Sequence, residues 1–66
     1  MKVLINGQQN NINSNLTVKQ LVIDLGYGEK RFALEINGQV IPKSEYAKKI
    51  IFENDRLEII SAVGGG

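Results

Sequence analysis

Residues 15–28, "NLTVKQLVIDLGYG", read as the main helix of the chain and decide what can form around it. Thr17 is a natural N-cap and Gln20 stands three places later, the spacing at which each side chain satisfies an unpaired amide of the first turn. Leu16 before the cap and Leu21 within the helix are placed to close a hydrophobic staple. Val18, Leu21, Val22 and Leu25 recur at helical spacing, so one stripe is expected to face a core while Lys19, Gln20 and Asp24 face water. Gly26 or Gly28 is expected to end the helix, because glycine enters the left-handed conformation without steric cost. One amphipathic helix needs a sheet to cover.

The flanking sequence supplies that sheet. "MKVLINGQQNNIN" (1–13) reads as a hairpin: Val3, Leu4 and Ile5 favour a strand, and Asn6-Gly7 is a two-residue turn signal because both residues tolerate positive φ. The return arm, Gln8 to Asn13, is polar apart from Ile12, as suits an edge strand. "RFALEINGQVIP" (31–42) repeats the grammar, with Phe32, Leu34 and Ile36 alternating before Asn37-Gly38, then Val40 and Ile41, and Pro42 stopping the ladder. In "SEYAKKI" (44–50), Ser44 is expected to cap about one helical turn, with Tyr46 and Ile50 on one side. "ENDRLEIISAV" (53–63) gives a turn at Asn54-Asp55 and a last strand, Leu57 and Ile59 on one face and Glu58, Ile60 and Ala62 on the other.

The expected order is strand, strand, helix, strand, strand, short helical turn, strand. With the last strand inserted between the two hairpins, the chain makes an α+β, ubiquitin-like β-grasp domain over residues 1–62. A mixed sheet of about five strands packs on one main helix, and residues 63–66 form a flexible tail.

Composition limits the chemistry. With 66 residues the chain makes one domain without a deep enclosed pocket. It has no cysteine and no histidine, which removes disulfides, thiolate metal sites and the commonest general base. Eight basic and seven acidic residues are interspersed for a net charge of +1, no footprint for nucleic acid. The opening "MKVLINGQQN" is neither a signal peptide nor a membrane span, so a cytoplasmic protein, monomeric when free, is expected. Glu53 and Asp55 read as a solvated turn, and Lys48 and Lys49 as wet surface. The chain is therefore not expected to be an enzyme by itself, and no bound metal or cofactor is expected.

The last six residues, "SAVGGG", differ in kind. An extended glycine run is the narrowest peptide available, and three such residues reach about 10 Å. They would carry the carboxylate of Gly66 into the active site of another protein, where phosphoryl or adenylyl transfer would make it a mixed anhydride open to a sulfur or nitrogen nucleophile. If Val3 and Ile5 face the helix, alternation turns Leu4, Ala33, Ile60 and Ala62 outward as an apolar docking patch near the root of Val63, Gly64, Gly65 and Gly66.

Over nearly its whole length, and most densely in "INGQVIPKSEYAKKIIFENDRLEIISAVGGG" (36–66), the chain resembles the small sulfur carrier proteins of bacterial thiamin biosynthesis, the ThiS family. Asn37, Val40 or Ile41, Pro42-Lys43, Tyr46, Asp55, the alternating "LEII" and Gly65-Gly66 stand where the pattern of that family has them. The departure is "END", where the family often has Asp-Gly-Asp; asparagine tolerates the turn conformation nearly as well as glycine. The resemblance implies that an ATP-dependent adenylating enzyme similar to ThiF activates Gly66. Sulfur from cysteine, relayed as a persulfide from a cysteine desulfurase, replaces AMP to leave a thiocarboxylate, and a thiazole synthase similar to ThiG receives it. The ATP belongs to the activating enzyme. Alternatives are the carrier subunit of molybdopterin synthase, MoaD, whose members are usually longer, and a ubiquitin-like protein modifier or a non-covalent binding module.

Overall fold

A computed structural model of the protein describes residues 1–28 and 30–61. In chain order the elements are strands β1 (Lys2–Ile5) and β2 (Gln8–Asn11), helix α1 (Val18–Asp24), strands β3 (Phe32–Ile36) and β4 (Gln39–Val40), a 3-10 turn (Lys43–Glu45) and strand β5 (Arg56–Ser61). The five strands form one sheet in the order β2-β1-β5-β3-β4. The β1–β5 pair is parallel and the others are antiparallel, so the final strand lies between the two hairpins. This mixed sheet closed over one helix is the ubiquitin-like β-grasp fold.

The turns follow from their residues. Asn6 and Gly7 have φ of 50° and 82°, Asn37 and Gly38 of 54° and 84°, the paired positive values of a type I′ hairpin turn, whose twist matches that of the strands. Asn54 takes φ 69° in the turn before β5, so asparagine does hold the left-handed position there.

The Thr17 side chain accepts from the Gln20 amide at 3.1 Å, as the cap requires. The reciprocal half of the box is not made, because the Gln20 amide group donates instead to Asp24 Oδ1 at 2.8 Å. Val18, Leu21 and Val22 are buried, but Leu25 is 40% exposed. The helix ends before it: Tyr27 N–H donates to Val22 O (2.8 Å) and Gly26 N–H to Ile23 O (3.0 Å), a Schellman closure with Gly26 at φ 89°. That closure stops the stripe one position short of Leu25.

The segment after the 3-10 turn is tied to the start of α1. Val18 N–H donates to Lys49 O (2.9 Å), Lys19 N–H to Tyr46 O (3.0 Å) and Ile51 N–H to Leu16 O (3.0 Å). The first two amides of the helix are thus satisfied by backbone and the third by the Thr17 side chain, rather than left for a ligand. Two local expectations are corrected here. Ser44 lies inside the 3-10 turn, whose N-cap is Pro42 without a side-chain bond. Ile51 at 1% exposure is the core residue, while Ile50 is half-buried and bridges Thr17.

The core sits between sheet and helix. Val3, Ile5, Leu34, Ile36, Leu57 and Ile59 from the strands meet Val18, Leu21 and Val22, with Ile41, Tyr46 and Ile51 closing the sides. Phe32 stacks on Tyr46 at 5.9 Å and meets Tyr27 edge-on at 5.4 Å, extending the apolar layer toward the end of β5.

Candidate functional site

Strand β5 is central in the sheet, and its last residue, Ser61, is opposite Phe32. To the residues that follow, the sequence assigns the chemistry and part of the docking surface. Ala62, Val63, Gly64, Gly65 and Gly66 lie outside the described residues. Leu4, Ala33 and Ile60 are described, and all three are exposed on the sheet face away from α1, as alternation requires.

Register decides which of them meet. Ile60 is directly opposite Ala33, whereas Leu4 is opposite Arg56. Arg56 and Ile60 are four residues apart on β5, about 13 Å along the strand at the usual rise. Between these levels Glu58 is opposite Glu35, which in turn pairs with Val40. The outer face is therefore divided rather than one apolar patch: Ile60 and Ala33 at the Ser61 end, two carboxylates in the middle, and Leu4 beside Arg56 at the far end. Leu4 sits in a shallow depression of about 260 Å³ whose lining includes Lys2, Gln9, Asn54 and Arg56.

Several polar residues around the sheet hold backbone. Asp55 accepts from Phe52 N–H (2.9 Å) and from the Asn37 side-chain amide (3.0 Å), while Asn37 Oδ1 accepts from Arg56 N–H (2.9 Å). Asn6 Oδ1 accepts from Ile59 N–H (2.7 Å), and Glu53 from Lys2 N–H (3.0 Å). Asn37 and Asp55, two positions that carried the resemblance, are thus partners in a structural clasp between β5 and the second hairpin. Glu53 and Asp55 spend their carboxylates on strand ends instead of forming an acid–base pair.

A second groove, about 230 Å³, runs between α1 and the 3-10 turn, lined by Lys19, Ile23, Phe32, Lys43 and Tyr46 among others. Burial pushes the Tyr46 phenol above its ordinary range, so it stays protonated at neutral pH and is no base there. Among the described residues, no group of three or more acidic, histidine or cysteine side chains stands ready to hold a metal ion. No helix among them is long and apolar enough to cross a membrane. What they offer is a presented surface and a central strand that leads to the tail.

Comparison with known proteins agrees with this arrangement. The ThiS family profile matches residues 3–66. The chain is 39% identical over 66 residues to a thiazole synthase of Paramagnetospirillum magneticum, covering all of this chain and 20% of that protein. It thus spans about a fifth of the length of that relative. It is 29% identical over 66 residues to the sulfur carrier protein ThiS of Escherichia coli, each chain covered in full. The crystal structure of the thiamine biosynthesis protein ThiS from Geobacter metallireducens superimposes with a TM-score of 0.86 at 23% identity, again over all of both chains. With the family profile spanning nearly every residue, the chain belongs to the ThiS family.

Proposed function

We propose that this protein is a sulfur carrier for thiazole synthesis in the thiamin pathway, with Gly66 as the residue that carries the sulfur. The observation that carries the reading is the family match running through residue 66, which includes the Gly65-Gly66 pair. The name of the full-length relative from Escherichia coli supports sulfur carriage, and the thiazole synthase relative supports the identity of the acceptor.

In this proposal Gly66 presents a terminal carboxylate for activation. A Gly66 carboxylate oxygen attacks the α-phosphorus of ATP in an adenylating enzyme similar to ThiF, and pyrophosphate leaves. The terminal sulfur of a persulfide, supplied from cysteine by a cysteine desulfurase, attacks the acyl carbon and displaces AMP. A thiol then cleaves the acyl disulfide, leaving the thiocarboxylate on Gly66 and taking the former persulfide carrier into a disulfide. The thiazole synthase receives the sulfur, and Gly66 returns as a carboxylate. The β-grasp domain is the handle, residues 63–66 are the thin lead, and partner enzymes supply the catalytic groups and the ATP. A soluble monomer in the cytoplasm suits successive visits to these enzymes.

The test is ATP–pyrophosphate exchange with the activating enzyme of the same organism. The chain ending at Gly66 is expected to support exchange, and a chain with one residue added after Gly66 is expected to lose it. Exchange that survives the extension contradicts the role of Gly66.

A further inference from the structure

We propose that the outer sheet face is read through charge as well as apolar contact. In this proposal Glu35 and Glu58 together receive one basic side chain of a thiazole synthase beside Ile60, and Lys2 and Arg56 receive an acidic one. The inference rests on the carrier reading above, which supplies the partner; one relative that matches the whole chain over a fifth of its own length is a thiazole synthase.

The pairing of β3 with β5 places Glu35 and Glu58 directly across from each other. Like charges in that position repel and destabilise a sheet. The described carboxylates that hold hydrogen bonds are those of Asp24, Glu53 and Asp55, each serving a helix, strand or turn. Glu35 and Glu58 are not among them. Exposed Val40 stands on one side of the pair, and the next level along β5 brings exposed Ile60 and Ala33. A partner that covers these apolar residues also removes water from the two carboxylates, and one guanidinium or ammonium between them offsets that loss.

The remainder of the face fixes direction. From the start of β5 toward Ser61 the surface runs from basic, Lys2 and Arg56 around Leu4, through acidic, Glu58 and Glu35, to apolar, Ile60 and Ala33. A partner bearing the complementary order docks in one orientation, because the reversed one juxtaposes like charges. Orientation matters for this proposal, because the residues assigned the chemistry follow β5 directly in the sequence.

Calorimetric titration of the full chain with the thiazole synthase of the same organism, at low and at high salt, tests this. Glu35→Gln and Glu58→Gln are each expected to weaken binding on the order of tenfold at low salt, with the difference shrinking as salt is raised. The double variant is expected to lose little more than either single one, because the two carboxylates share one cation. Both single variants are expected to melt higher than the parent, since repulsion is relieved. Gln variants that bind as tightly as the parent overturn the proposal, even if Ile60→Asp abolishes binding. A parent chain that does not bind the synthase overturns it as well, while pyrophosphate exchange at Gly66 judges the carrier reading separately.

Discussion

Two groups of acids on this small domain are treated very differently. At the turn end of the sheet, Asp55 and Glu53 each accept backbone amides, and Asp55 is further locked to Asn37. In the middle of the outer face, Glu35 and Glu58 share one cross-strand pair and hold none of the described side-chain hydrogen bonds. Both groups are carboxylates. Charge in such a domain has to be read by its partners: the first group closes the fold, and the second is the pair proposed above to receive a basic side chain of the synthase.

The sharpest way to break this comparison is Asp55→Ala. It removes the acceptor of two hydrogen bonds and leaves the Phe52 amide and the Asn37 side chain without that partner, so a loss of about 2 kcal/mol is expected in urea unfolding. Asp55→Asn, which keeps one oxygen, is expected to lose less. A stability unchanged by Asp55→Ala would make the two groups equivalent. On the other side of the comparison, Glu58→Gln is expected to raise stability by about 0.2–1 kcal/mol, the scale of a cross-strand pair. The opposite sign from Asp55→Ala, measured in the same urea series, is the point of interest.

The smallest effect concerns Tyr46, a buried aromatic core residue that belongs to neither group. Its phenol is pushed up by burial, so above the ordinary tyrosine range the unfolded chain has lost a proton that the folded chain keeps. Stability from this group is therefore full at neutral pH and falls as pH rises through that alkaline window. Tyr46→Phe is expected to flatten that part of the pH profile. A slope that persists in the variant assigns it to other groups.

Features carried by neighbouring residues were legible in the sequence. The two Asn-Gly turns, the Thr17 cap and the inward phase of Val3, Ile5, Leu57 and Ile59 are all set by contacts a few residues long or by strict alternation. Leu25 was not, because Gly26 closes the helix just before the stripe would use it. Ile51 was not, because the segment strapped to the start of α1 has no period from which burial can be read. The same division runs through the candidate site. Alternation turned Leu4, Ala33 and Ile60 outward, but only strand register separates Leu4 from Ile60 and brings Glu35 to Glu58. The Asn37–Asp55 clasp spans 18 residues and has no local signature. The proposed role of Gly66 rests on sequence and family, since that residue lies outside the described part of the structure.

Intact-mass spectrometry of the protein after incubation with its activating enzyme, ATP, a cysteine desulfurase, cysteine and a thiol tests the central claim most directly. The account predicts a mass increase of one oxygen exchanged for one sulfur, located by fragmentation at Gly66 and absent when ATP is left out. An unmodified mass under conditions where the activating enzyme adenylates the chain, or sulfur found on any other residue, would contradict it.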